Sequence, residues 1–166
     1  MKKYPERGME MNVNYEELSS MLTALMDGVP YRTANLANAS ALLWQELPEI
    51  NWVGFYEMNG GCLVLGPFQG KPACIRIPVG NGVCGTAVAE NKVQRVSNVH
   101  EFPGHIACDG ASNSEIVLPV YCRGEIWGVL DIDSPKFGRF TQADEQGLGN
   151  IAEIIGNMLS QTEGHL

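Results

Sequence analysis

The order in which hydrophobic periodicity changes along this chain constrains its fold more than any other feature. Helical spacing occurs twice, short alternating runs follow, and helical spacing returns at the end. Leu18, Met21, Leu22 and Leu25 recur at helical intervals until Asp27-Gly28-Val29-Pro30 breaks the run. A second helix is predicted from about Tyr31 to Leu47, carrying Leu36, Ala39 and Leu43 and ending before Pro48. NWVGFYE (residues 51–57) is rich in aromatic and β-branched residues and reads as a strand. Its alternation puts Trp52, Gly54 and Tyr56 on one face and Val53 and Phe55 on the other. Gly60-Gly61 turns the chain back as a partner strand from Cys62 to about Phe68.

A glycine- and proline-rich stretch follows. It fits a short strand at Ala73–Ile77 and a helix of about two turns opening near Val83. Val93–Ser97 reads as a strand, and the polar segment from Asn98 to Glu115 as a long irregular loop, a kind that is often functional. IVLPVY (116–121) and EIWGVLDID (125–133) are strands flanking an Arg123-Gly124 turn. The last helix runs from about Gln142 to Leu159, with Leu148, Ile151, Ile155, Met158 and Leu159 on one side, Thr141 as N-cap and Asp144 in its first turn. The fold class is α+β. A central, mainly antiparallel sheet is expected to carry helices on one face and a pocket under loops on the other.

At 166 residues the chain has room for one domain, expected over 14–162 behind a flexible N-terminal segment, 1–13. A net charge of −8 argues against nucleic acid as a main partner, because phosphate binding needs a concentrated basic surface. No stretch approaches the roughly 20 apolar residues of a membrane span, so no membrane partner is expected. MKKYPERGMEMN has lysines but no apolar run behind them, unlike a secretory signal. With five cysteines, this points to a reducing, cytoplasmic location.

Chemistry is concentrated in a few places. On 125–133, Trp127, Val129, Asp131 and Asp133 fall on one face by alternation, with Ile126, Leu130 and Ile132 on the other. The two carboxylates are either solvated at the strand end or part of a lined site, where crowding raises at least one pKa. Cys84 follows a glycine-rich turn in the first turn of a helix. It is either packed between helix and sheet or favoured as a thiolate by the helix dipole. Cys108 lies in the long loop, three residues after His105. Cys74, Cys84, His105 and Cys108 offer soft ligands but lack the paired knuckle spacing of structural zinc, so no metal is expected. No serine stands in a nucleophile-elbow pattern.

Together these segments resemble the free methionine-(R)-sulfoxide reductases, a GAF-domain family. The likeness rests on INWVGFY (Ile50–Tyr56), GPFQGKPACIRIPVGNGVCGTAV (Gly66–Val88), HIACD (His105–Asp109) and SEIVLPV (Ser114–Val120). GVLDID (Gly128–Asp133), GRFTQADEQGL (Gly138–Leu148) and NLANASALL in the second helix extend it over about residues 31 to 160. The resemblance implies that Cys108 attacks the sulfoxide and that Cys74 resolves it. Cys84 would be a third cysteine able to share the resolving role. Glu115, Asp131 and Asp133 match the carboxylates of the substrate site, and Trp52 and Tyr56 its aromatic lining. Cys62 and Cys122 lie outside the family's cysteine motifs.

The implied reaction is thiol-dependent reduction of free methionine sulfoxide to methionine. It would pass through a sulfenic acid and an intramolecular disulfide that thioredoxin reduces, with no cofactor. The family is compatible with a homodimer. The rival readings are a GAF ligand sensor and a redox-sensing binding module without catalysis.

Overall fold

The computed structural model describes residues 12–106 and 108–162. The segment expected to be flexible, 1–13, lies outside the described residues except for its last two. Helix α1 (Tyr15–Met26) starts where the Asn14 side chain accepts a hydrogen bond from the Glu17 N–H at 3.1 Å, with Glu16 and Glu17 favoured by the helix dipole. It buries Leu18, Leu22 and Met26; Met21 and Leu25, part of the same periodicity, are exposed. Helix α2 (Arg32–Glu46) stops before Pro48, which cannot continue it.

Strands β1 (Trp52–Asn59) and β2 (Cys62–Gly70) form a hairpin across Gly60 and Gly61. Both glycines have positive φ (58° and 80°), the conformation a two-residue hairpin turn requires. There follow β3 (Arg76–Pro78), α3 (Gly82–Glu90), β4 (Gln94–Val96), a single 3-10 turn (Val99–Glu101), β5 (Ser114–Cys122), β6 (Glu125–Ser134) and α4 (Gln142–Thr162). The strands make one sheet in the order β3-β2-β1-β6-β5-β4, and every pairing is antiparallel.

Alternation divides the sheet's two faces. Val53, Phe55, Ile116, Leu118, Leu130 and Ile132 pack with the buried residues of α1, α2 and α4. Each fully buried Leu or Ile there is worth about 1.5–3 kcal/mol in burial. Trp52, Tyr56, Val117 and Val129 face the other way, onto Val83, Cys84 and Ala87 of α3. The expected architecture is thus present, with short α3 joining the loops on the pocket face. Gly85 allows that approach, since a Cβ there would come 2.5 Å from the Pro78 carbonyl oxygen.

Three departures from the sequence reading bear on the site. Short strand β3 begins at Arg76, so Ala73 and Cys74 precede it instead of lying in it. Glu115 is on β5, paired with Asp133, and not at the end of the loop. Trp127 leaves the pocket face: register slips so that Tyr121 pairs with Ile126 and Val120 with Gly128, skipping Trp127. That bulge reverses the local alternation. Trp127 instead packs edge-on against Phe55, 6.5 Å between centroids, in the helix-side core.

At the start of α4 the Thr141 hydroxyl accepts from the Asp144 N–H (3.2 Å), and Asp144 Oδ2 accepts from the Thr141 N–H (2.8 Å). This reciprocal cap confirms Thr141 as the N-cap. Asp144 also accepts from the Tyr15 hydroxyl (2.6 Å) and Arg139 Nη1 (3.0 Å), tying α4 to α1.

Candidate active site

The pocket lies on the β1–β6–β5 surface opposite the three long helices, and β pairing places its acids. Asp131 and Asp133 lie two apart on β6, and Asp133 pairs with Glu115 of β5, so all three carboxyls line one cavity. Glu115 and Asp131 are buried and Asp133 is half-buried. The reading in which the aspartates are merely solvated is therefore excluded. Burial, reinforced by the charges of Asp131 and Asp133, holds Glu115 well above the usual carboxylate range. Burial and the neighbouring Asp131 and Asp109 do the same for Asp133, and burial raises Asp131.

Cys84, near the N-terminus of α3, meets this cluster. Its Sγ donates toward Glu115 Oε1 at 4.0 Å. Burial first, and then Asp131 and Glu115, push its thiol pKa up. Of the two readings of Cys84, the packed one holds: removal from water beside carboxyls outweighs the pull of a helix terminus toward thiolate. His105 Nε2 lies 3.8 Å from Glu115 Oε2, and burial, with His100 nearby, lowers its pKa. Each shift favours the neutral form of its group, which makes this a polar contact more than an ion pair.

The aromatic residues have two jobs. Trp52 stacks on Phe68 (5.2 Å) and Tyr56 (5.9 Å), and the Trp52 and Tyr56 rings line the cavity's side. Gly54 makes this possible, because a Cβ would sit 2.3 Å from the Phe68 Cβ and 2.7 Å from the Trp52 ring. Their polar ends hold the segment leading to Cys74. Trp52 Nε1 donates to the Lys71 carbonyl (3.1 Å) and the Tyr56 hydroxyl to the Cys74 carbonyl (2.9 Å).

Cys74 is joined to Cys108 by a disulfide, with Cα atoms 5.9 Å apart. Cys108 lines the same cavity as the acids, and Cys74, next in the chain to the lining residue Ala73, packs against the apolar cluster on that face. Cys108 is exposed and Cys74 half-buried. Cys84, Cys62 and Cys122 are not part of the disulfide.

Sequence reasoning missed what holds the Cys108 loop in place. Asn51 Nδ2 donates to Asp109 Oδ2 (3.2 Å) and to the Ser112 hydroxyl (3.0 Å). Asp109 Oδ1 accepts from the Ala111 N–H (2.9 Å) and faces Lys71 Nζ at 3.6 Å. The Ala111 N–H, with Lys71 and Asn51, keeps Asp109 below the usual carboxylate range. No periodicity marks these residues, since the partners come from three separate segments.

The GAF domain family's sequence pattern matches residues 17–159. The free methionine-R-sulfoxide reductase of Escherichia coli is 58% identical over 149 residues, 90% of each chain. The reduced form of fRMsr of Staphylococcus aureus is 49% identical, with a TM-score of 0.87, covering 89% of this chain and 96% of that one. The free methionine-R-sulfoxide reductase from Neisseria meningitidis, in complex with its substrate, is 36% identical with a TM-score of 0.88, covering 98% of each chain. No helix among the described residues is long and apolar enough to cross a membrane.

Proposed function

This chain belongs to the GAF-domain free methionine-R-sulfoxide reductases, and from that premise we propose that it reduces free methionine-R-sulfoxide with Cys108 as nucleophile and Cys74 as resolving thiol. The observation that carries the reading is the Cys74–Cys108 disulfide at a cavity lined by Glu115, Asp131 and Asp133. A sulfoxide needs a nucleophile at sulfur and a proton at oxygen. This cavity has both on its lining.

In the reduced enzyme the Cys108 thiolate attacks the substrate sulfur while a protonated carboxyl of the cluster gives its proton to the sulfoxide oxygen. The raised pKa of Glu115 favours the protonated form that this step needs. The oxygen passes to Cys108, methionine leaves with its sulfur reduced, and Cys108 becomes a sulfenic acid. The Cys74 thiolate then attacks the Cys108 sulfur, and the sulfenic oxygen leaves as water, forming the disulfide. An external dithiol such as thioredoxin takes up the oxidation by exchange, which suits the exposure of Cys108 and a cytoplasmic setting. A remaining ionised carboxylate binds the substrate's α-ammonium group, which a methionine inside a polypeptide lacks. The Trp52 and Tyr56 rings pack against the S-methyl group.

The test separates the two cysteines. Cys108→Ser should abolish methionine formation. Cys74→Ser should release one methionine per site and then stall with thioredoxin as reductant. Normal turnover by Cys108→Ser would overturn the nucleophile assignment, and sustained cycling by Cys74→Ser would move the resolving role to Cys84.

A further inference from the structure

The acids that face the substrate also form, with Cys84, the donor set of a transition-metal site. Cys84 Sγ and one carboxylate oxygen each from Glu115 and Asp131 lie within 4.8 Å of one another, and all three residues are buried. Asp131 is 6% exposed, yet its Oδ1 has no hydrogen-bond partner. A buried acceptor left bare inside a cavity calls for a donor or a cation. Among the described residues, the only Lys or Arg on the cavity lining, Lys71, is directed to Asp109. His105 Nε2 lies 3.8 Å from Glu115 Oε2, at the edge of this three-residue donor set and not within it.

We infer that Cys84, Glu115 and Asp131 bind a borderline divalent cation, Zn²⁺ or Cd²⁺, which excludes substrate from the same acids. Zinc–sulfur bonds of about 2.3 Å and zinc–oxygen bonds of about 2.1 Å put tetrahedral donors roughly 3.5 Å apart. The donors need close by little more than an ångström to reach that spacing. One thiolate with two carboxylates selects zinc or cadmium over magnesium or calcium, which take all-oxygen shells. Cys84 surrenders its proton to solvent as the metal–sulfur bond forms. The competition with substrate rests on the function proposed above; the cation site does not.

The probe is Cd²⁺, titrated into the full chain carrying Cys74→Ser and Cys108→Ser, so that the redox pair cannot supply thiolates. One ion per chain should bind with an ultraviolet thiolate-to-cadmium charge-transfer band. Adding Cys84→Ser should remove the band. Glu115→Gln or Asp131→Asn should keep it and weaken binding by more than about 10-fold, at least the loss expected for an outer-shell partner. Absence of a band, or its survival in Cys84→Ser, overturns the site. If Cys84→Ser does not fold by circular dichroism, unchanged Cd²⁺ affinity in both carboxyl variants overturns it instead. Free methionine-R-sulfoxide should lower the apparent Cd²⁺ affinity of the Cys74→Ser, Cys108→Ser chain. If that affinity is unmoved while the wild-type chain turns the sulfoxide over, the exclusion of substrate is wrong. Metal-free turnover by the wild-type chain tests the proposed function separately.

Discussion

Asp131 and Asp144 are almost equally buried, 6% and 7% exposed, yet their protonation is driven in opposite directions. Burial pushes both up. At Asp144 the Thr141 N–H, the Tyr15 hydroxyl and the Arg139 guanidinium more than reverse it. At Asp131 the neighbours are a weakly donating thiol and two further acids, and the burial effect wins. A buried carboxylate given good donors is a fastener. One denied them holds a proton, and costs stability to keep ionised. The same sheet therefore carries a structural end, near the start of α4, and a chemical end, where β5 and β6 meet α3.

The largest effect should come from the chemical end. Glu115→Gln removes a proton donor without changing volume. Its kcat for free methionine-R-sulfoxide is expected to fall by about 10²–10⁴, or roughly 3–5 kcal/mol at the barrier. Thermal stability at neutral pH should be unchanged or slightly higher, because an unpaired buried acid has gone. Loss of stability with normal kcat would make Glu115 a fastener like Asp144 and break the contrast.

The structural end should behave in the opposite way. Asp144→Ala leaves the Thr141 N–H, Tyr15 hydroxyl and Arg139 without their acceptor, and Arg139 and Asp144 side chains are each only 10% exposed. Unfolding free energy by urea titration should fall by about 2–3 kcal/mol, while kcat and KM of the folded fraction stay at wild-type values. A comparable drop in kcat would show that the two ends are coupled through the sheet.

How much of this contrast is legible in the sequence depends on how local each cause is. Alternation along 125–133 places Asp131 and Asp133 together, and T-x-x-D announces the cap at Thr141 and Asp144. Both signals lie within one element. Trp127 defeats the same alternation because its bulge arises from pairing with β5. Cys84 is legible as a helix-start residue, but the acids that override the dipole come from β5 and β6. The joining of Cys74 to Cys108, 34 residues apart, follows from the family resemblance and not from spacing. Asn51, Lys71 and Ser112 leave no pattern at all, since their role exists only once β1, β2 and the loop before β5 have met.

The smallest effect, spread over the widest range, is the pH dependence of stability, and its sign sharpens the contrast. A carboxyl that holds its proton more tightly when folded contributes full stability at low pH, and loses it as pH rises through the raised folded value. Glu115, Asp131 and Asp133 therefore weaken the fold as pH climbs above their ordinary values of 4.5 and 3.8. Asp144 acts at the other limb, with its contribution present above 3.8 and lost as pH falls through its lowered folded value. The urea midpoint of the disulfide form should thus pass through a maximum on the acid side of neutrality. Asp131→Asn should flatten the descent above that maximum and leave the acid limb intact; Asp144→Asn should flatten the acid limb alone. If both substitutions flattened the same limb, the two carboxylates would share one environment, and donor supply would not be what separates a fastener from a proton store.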